Sequence, residues 1–100
     1  MKKTRHRYYD DFPRTTRIPK KNEIWLAYFP YYQRGGIEKL RPVLIHNVKD
    51  DEAMVQMITS NPKSGKEIKL KRGHKSYLKN NFARVKLYKC YRKLQNYEKN

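Results

Sequence analysis

The chain has 100 residues, a formal net charge of +16 and only nine acidic residues, so it has room for one domain with a small core and calls for a polyanionic partner. Its single cysteine, Cys90, excludes an intramolecular disulfide and fits a reducing compartment. Cys90 and three scattered histidines, His6, His46 and His74, lack the paired spacings of a zinc site, and the longest apolar run, Ile24 to Tyr32 with Pro30 inside, is too short for a membrane span. A cytoplasmic protein with no metal and no cofactor is therefore expected.

The charge is unevenly placed. Residues 1–21 carry +6, residues 22–60 carry −1 and residues 61–100 carry +11. The first segment is rich in Lys, Arg and Tyr, holds Pro13 and Pro19 and has no sustained periodicity, so it reads as a basic flexible arm. Tyr8, Tyr9 and Phe12 would give such an arm stacking faces between its cations. The basic N-terminus is not followed by an apolar run, so no secretory signal is expected. Residues 22–100 read as the folded domain.

Asn22 suits a turn ahead of the first strand, Glu23 to Phe29, which has Ile24, Leu26 and Tyr28 on one face and Trp25, Ala27 and Phe29 on the other. Two apolar faces suit a strand buried in a barrel or at an interface. Pro30 is expected to end it, and residues 30–40 to form a polar loop with Gly35-Gly36 at its tip. Arg41-Pro42 opens a second strand with Val43, Leu44 and Ile45 as its body. Asp50-Asp51 marks a turn, and Ala53 to Thr59 a third strand. Asn61 to Lys66 is a loop by composition. Glu67 to Leu70 is a short, edge-like strand whose lysines discourage aggregation. One helical turn is expected around Ser76–Lys79, then a strand from Phe82 to Tyr88, and a short helix on the spacing Leu87, Tyr91, Leu94. The sum is a mainly β (α+β) fold: a small barrel of about five strands with short helical pieces.

Several of these segments, in this order, resemble the MazF/PemK family of toxin endoribonucleases. They are Glu23-Ile24-Trp25 with Phe29-Pro30, Arg41-Pro42-Val43-Leu44-Ile45, Ile58-Thr59-Ser60, Ser76-Tyr77, and Phe82-Ala83-Arg84-Val85 with Leu87. The resemblance covers roughly residues 22–90. It implies an SH3-like barrel that forms a homodimer, cuts single-stranded RNA without a metal and is neutralised by an acidic antitoxin. It also implies that Arg41 and Thr59 are catalytic. The implied reaction is attack of a ribose 2′-OH on the adjacent phosphorus, leaving a 2′,3′-cyclic phosphate and a 5′-OH. Asn22 stands where the family usually has glycine, and the loop before Arg41 lacks the family's Glu-Gln pair. The chain also lacks the C-terminal helix of longer members, which weakens the case for a dimer.

Chemistry supports the same residues independently. A planar five-donor guanidinium fits two equatorial phosphoryl oxygens as they gain charge, and a threonine hydroxyl can donate to the same phosphate or orient the nucleophile. Arginine is a poor base because its pKa lies above about 12. Arg41 is thus assigned charge stabilisation, with proton donation to the leaving 5′-oxygen as a second role. His46 and Glu38 are the candidates left for the base. Tyr31, Tyr32, Arg34, Lys39, Ser60, Lys63 and Arg84 are the candidate RNA contacts, with Tyr31 and Tyr32 as stacking faces near the Gly35-Gly36 loop. Each has a plainer reading: Arg41 capping stray carbonyls at a barrel end, Thr59 as a strand former, His46 as a structural histidine, Trp25 as core. Two other functions fit the same composition, a non-catalytic basic module that binds RNA or DNA and a regulator that binds an acidic protein.

Overall fold

A strand with two apolar faces needs cover on both, and the architecture is arranged around that need. In the computed structural model, which describes residues 17–31, 35–70 and 75–98, this strand is β1 (Glu23–Tyr31). Asn22, at a φ of 68°, turns the chain into it, and residues Glu23 to Ala27 are buried without interruption. The other strands are β2 (Ile37–Lys49), β3 (Glu52–Thr59), β4 (Gly65–Lys69), β5 (Lys75–Lys86) and β6 (Cys90–Asn96). They form one open antiparallel sheet in the order β4-β5-β3-β2-β1-β6. The expected mainly β fold is present, with six strands among the described residues and a single 3-10 turn at Leu87–Lys89.

One face carries the larger core, built on Trp25, Ala27, Phe29, Val43, Ile45, Val55, Met57 and Val85. Trp25 has no exposed surface and anchors it. The second face carries a smaller core of Ile24, Leu44, Ile58 and Ile68, with Leu70, Leu78 and Tyr97 packed against it. Ile68 belongs to the opposite end of the sheet from Ile24, so the sheet must bend to bring them together. The β3–β5 ladder supplies the bend: from Gln56↔Phe82 to Ile58↔Leu78 it advances two residues on β3 against four on β5. Such an irregularity bends the strand carrying the extra residues and increases its twist.

Four local expectations are corrected. Pro30 does not end β1, which runs on to Tyr31. The β6 ladder reaches only from Glu23 to Ala27, so Pro30 lies where β1 has β2 alone as neighbour and one edge needs no donor. The loop ahead of Arg41 is shorter than expected, because Gly35 and Gly36, both at positive φ, make the turn and β2 begins at Ile37. Ser76–Lys79 is not a helical turn but the paired start of β5. The helix expected on Leu87, Tyr91 and Leu94 is a single 3-10 turn at Leu87–Lys89, which ends β5 at Lys86, followed by the strand β6, whose Leu94 is exposed. Its role is to satisfy the second hydrogen-bonding edge of β1, a demand that outweighs a weak helical period. Other expectations hold: Asp50, at φ 58°, makes the β2–β3 turn, β4 is an edge strand, and Ala83 and Val85 point into the core while Phe82 and Arg84 point away.

Gly65 is the tightest point of the β4–β5 pairing. A Cβ built there would lie 1.9 Å from the carbonyl oxygen of Leu78, a backbone atom that cannot swing aside. Gly65→Ala is expected to displace β4 and cost about 2 kcal/mol of stability, as overpacking does elsewhere; a urea midpoint equal to that of the parent chain would contradict the assignment.

Candidate nucleic-acid interface

Hydrogen-bonded pairing between β2 and β3 begins at Val43↔Met57. Two residues beyond that pair stand Arg41, inside β2, and Thr59, at the end of β3, both past the same end of the β2–β3 ladder. Arg41 is opposite Ala27 and shares the face of Trp25 and Val43, at the rim of the larger core. It is half-buried, and its Nη1 donates to the carbonyl of Leu40 at 3.2 Å. That is the capping contact of the plainer reading, and it uses one of five guanidinium donors. Thr59 Oγ1 accepts from the amide of Asn61 at 3.2 Å.

The same rim collects part of the expected RNA-contacting set. Tyr31 is half-buried, packs edge-on against Phe29 with centroids 5.7 Å apart and directs its hydroxyl to Met57 Sδ at 3.6 Å. Lys39 places its ammonium 5.9 Å from the Tyr31 ring centroid. Ser60 and Lys63 are exposed in the loop that follows Thr59, where Asn61 Oδ1 accepts from the amide of Lys63 and shapes the turn. Tyr32, Arg34, His6, His74 and arm residues 1–16 lie outside the described residues.

Three nominees are not brought to this rim. Arg84 is exposed opposite Met54, on the reverse face of the strand that buries Ala83 and Val85. His46 also belongs to that reverse face, where its Nε2 meets Gln56 Oε1 at 2.9 Å and its ring lies 5.2 Å from Phe82. Glu38 alternates with Lys39 along β2 and forms an ion pair with Lys89. Neither candidate base shares a face with Arg41.

A charged centre that the sequence reading overlooked lies at the start of β1. Glu23 is only 6% exposed, yet its carboxylate is fully engaged. Its Oε1 accepts from the Trp25 indole at 3.0 Å and the Lys20 amide at 2.9 Å, while Oε2 pairs with Lys93 at 3.1 Å and Arg17 at 3.5 Å. Burial pushes this carboxyl up, but the bonds from Trp25, Lys20 and Lys93 together outweigh it and hold the group below its ordinary value. The signal available in the sequence was a lone acid at the head of an apolar strand, two residues before the only tryptophan. Arg17 and Lys93 also help to line a groove of about 550 Å³ where Lys69 and Leu70, at the end of β4, approach β6.

Among the described residues no group of three or more His, Cys, Asp or Glu side chains is placed to hold a metal, and no helix is long and apolar enough to cross a membrane. Comparison of the chain with protein-family models, with curated proteins and with solved structures finds no match.

The Glu23 network has a definite pH signature. A carboxyl lowered by folding stabilises the fold fully above its unfolded value, near 4.5, and that contribution is lost as the pH falls through the lower folded value. Glu23→Gln keeps acceptors for Trp25 and Lys20 but loses the charge facing Lys93. It is expected to cost about 1–2 kcal/mol at pH 7, and the loss of stability of the parent chain below pH 4.5 should be shallower in the variant. Parallel urea titrations at pH 7 and pH 3.5 test both statements.

Proposed function

We propose that the chain is a MazF/PemK-type endoribonuclease on an SH3-like barrel, cutting single-stranded RNA in the cytoplasm as the growth-inhibiting toxin of a toxin-antitoxin pair. The observation that carries this reading is the emergence of Arg41 and Thr59 at one end of the β2–β3 pair, with Lys39 and Tyr31 on the same rim. In this proposal the 2′-OH attacks phosphorus and the 5′-oxygen leaves. Arg41 turns its remaining donors to the phosphoryl oxygens, where charge accumulates in the transition state. Thr59 supplies a hydroxyl to the same phosphate, and Lys39, Lys63 and the basic arm hold the backbone electrostatically. Tyr31 offers a ring edge for a base. The partner that would neutralise the toxin is an acidic antitoxin, attracted by the same excess of cations, and a second copy of the chain would complete a dimer.

A second reading, a non-catalytic RNA-binding module, draws on one specific observation: His46 and Glu38 lie away from the Arg41 face. A single experiment separates the two. Purified protein and its Arg41→Ala variant are incubated with long single-stranded RNA in EDTA, and the fragment ends are mapped. The nuclease reading expects discrete cuts with 5′-OH ends, reduced at least about a hundredfold by Arg41→Ala, as when one transition-state donor is removed. Intact RNA with a salt-sensitive mobility shift supports the binding module and sinks the nuclease.

A further inference from the structure

We propose that the reverse face of the sheet holds a nucleobase-stacking site, centred on Phe82 and separate from the Arg41–Thr59 rim. This inference rests on RNA as the ligand and adds the place where the protein grips its bases. Phe82 is 48% exposed, one of few large apolar side chains left in water among the described residues. It stands opposite Gln56 on β3, with the His46 ring beside it at 5.2 Å and tilted 43°. The neighbourhood is rigid for a surface. Gln56 Nε2 donates to the carbonyl of Lys79 at 3.1 Å, so its Oε1 faces His46 and accepts from Nε2–H at 2.9 Å. That chain of bonds fixes the imidazole tautomer and leaves Nδ1 as the ring's acceptor. A flat aromatic face held beside a fixed imidazole is suited to stacking, which is tolerant of sequence because every base has a π-face.

The next row of the same face supplies the rest of a nucleotide site. Asn47, Met54 and Arg84 are aligned across β2, β3 and β5, two residues along from Gln56 and Phe82 on β3 and β5. They line a depression of about 270 Å³ together with Asp50 and Glu52. Arg84 is exposed, and no ion pair among the described residues includes it. Arg84 therefore takes a phosphate, while the amide of Asn47 and the Asp50 carboxylate offer acceptors to an exocyclic amine. A purely basic patch would hold only the backbone; this mixture of ring, amide and both charges is what contact with a base requires.

The test uses fluorescent 2′-O-methyl dodecamers, which bind but cannot be cut because the attacking hydroxyl is blocked, and an abasic oligomer of equal charge. Affinities are measured by anisotropy for the parent chain, Phe82→Ala and Phe82→Leu. Phe82→Leu keeps apolar cover over the sheet and removes only the ring, so it guards against a folding artefact. The expected result is an affinity for base-bearing oligomer about tenfold weaker in both Phe82 variants, with an unchanged salt slope and unchanged abasic binding. Equal affinities for parent and Phe82 variants, with RNA still bound, would overturn the stacking site and leave the RNA reading intact. A parent chain that binds no oligomer would overturn both. A change in sedimentation coefficient without a change in affinity would make this face a self-association surface and overturn the proposal.

Discussion

Burial of β1 on both faces is the constraint from which the rest of the molecule follows. Ile24 and Leu26 face one way, Trp25 and Ala27 the other, and all four are buried. A sheet that covered only one of these faces would leave the other in water. The observed sheet covers the Trp25 and Ala27 face with the larger core, and then bends at the β3–β5 irregularity so that Ile68 and Leu78 arrive over Ile24 and Leu44. The bend also explains why a single sheet of a small chain can support two cores. On the second face Phe82 stays exposed beside a half-buried His46.

Much of this was legible in the residues. The alternation in Glu23–Phe29, the turn at Asp50 and the core assignment of Trp25 depend on local patterns that tertiary structure had no reason to override. The failures share a cause. Pro30 and the Leu87–Tyr91–Leu94 period are local signals, but what decides each is the hydrogen-bonding state of a neighbouring edge. Pro30 lies beyond the reach of β6 and therefore costs no ladder bond, whereas residues 90–96 are drawn into β6 by the unsatisfied edge of β1. Pro42 obeys the same rule: it pairs with Leu26 on one side, while the β3 ladder starts one residue later. The proximity of Arg41 and Thr59 follows from one register, both lying two residues past the Val43↔Met57 pair, although β2 starts at Ile37 and so carries Arg41 in its interior. The separation of His46 and Arg84 onto the reverse face depends on alternation across three strands, and Glu23 is hidden by its place in an apolar word.

The excess of positive charge acquires a structural meaning once the carboxylates are located. Glu23 holds Arg17 and Lys93, Glu38 holds Lys89, and Asp51 and Glu52 hold Lys86. These acids are committed to cations at the seams between strands: β1 with β6, β2 with the 3-10 turn, and the β2–β3 turn with β5. Of the pairs, only those of Glu23 combine burial with several hydrogen bonds, so they alone have the geometry to contribute more than an exposed pair does. The uncommitted cations are left to set the outer field.

That division bears on how a strand of RNA would be held. A field made by many dispersed lysines attracts phosphate but does not choose a register along the strand, because every phosphate is alike. Register has to come from features that distinguish a nucleotide's parts. In the proposed reading the rim would offer Arg41 and Thr59 to the reacting phosphate, and the reverse face a ring and an acceptor row to a base. A single strand passing from one to the other would have to round the edge of the sheet, a path open to a flexible chain and closed to a stiff duplex. If the proposed function holds, a preference for single-stranded RNA would arise from the curvature of the sheet itself.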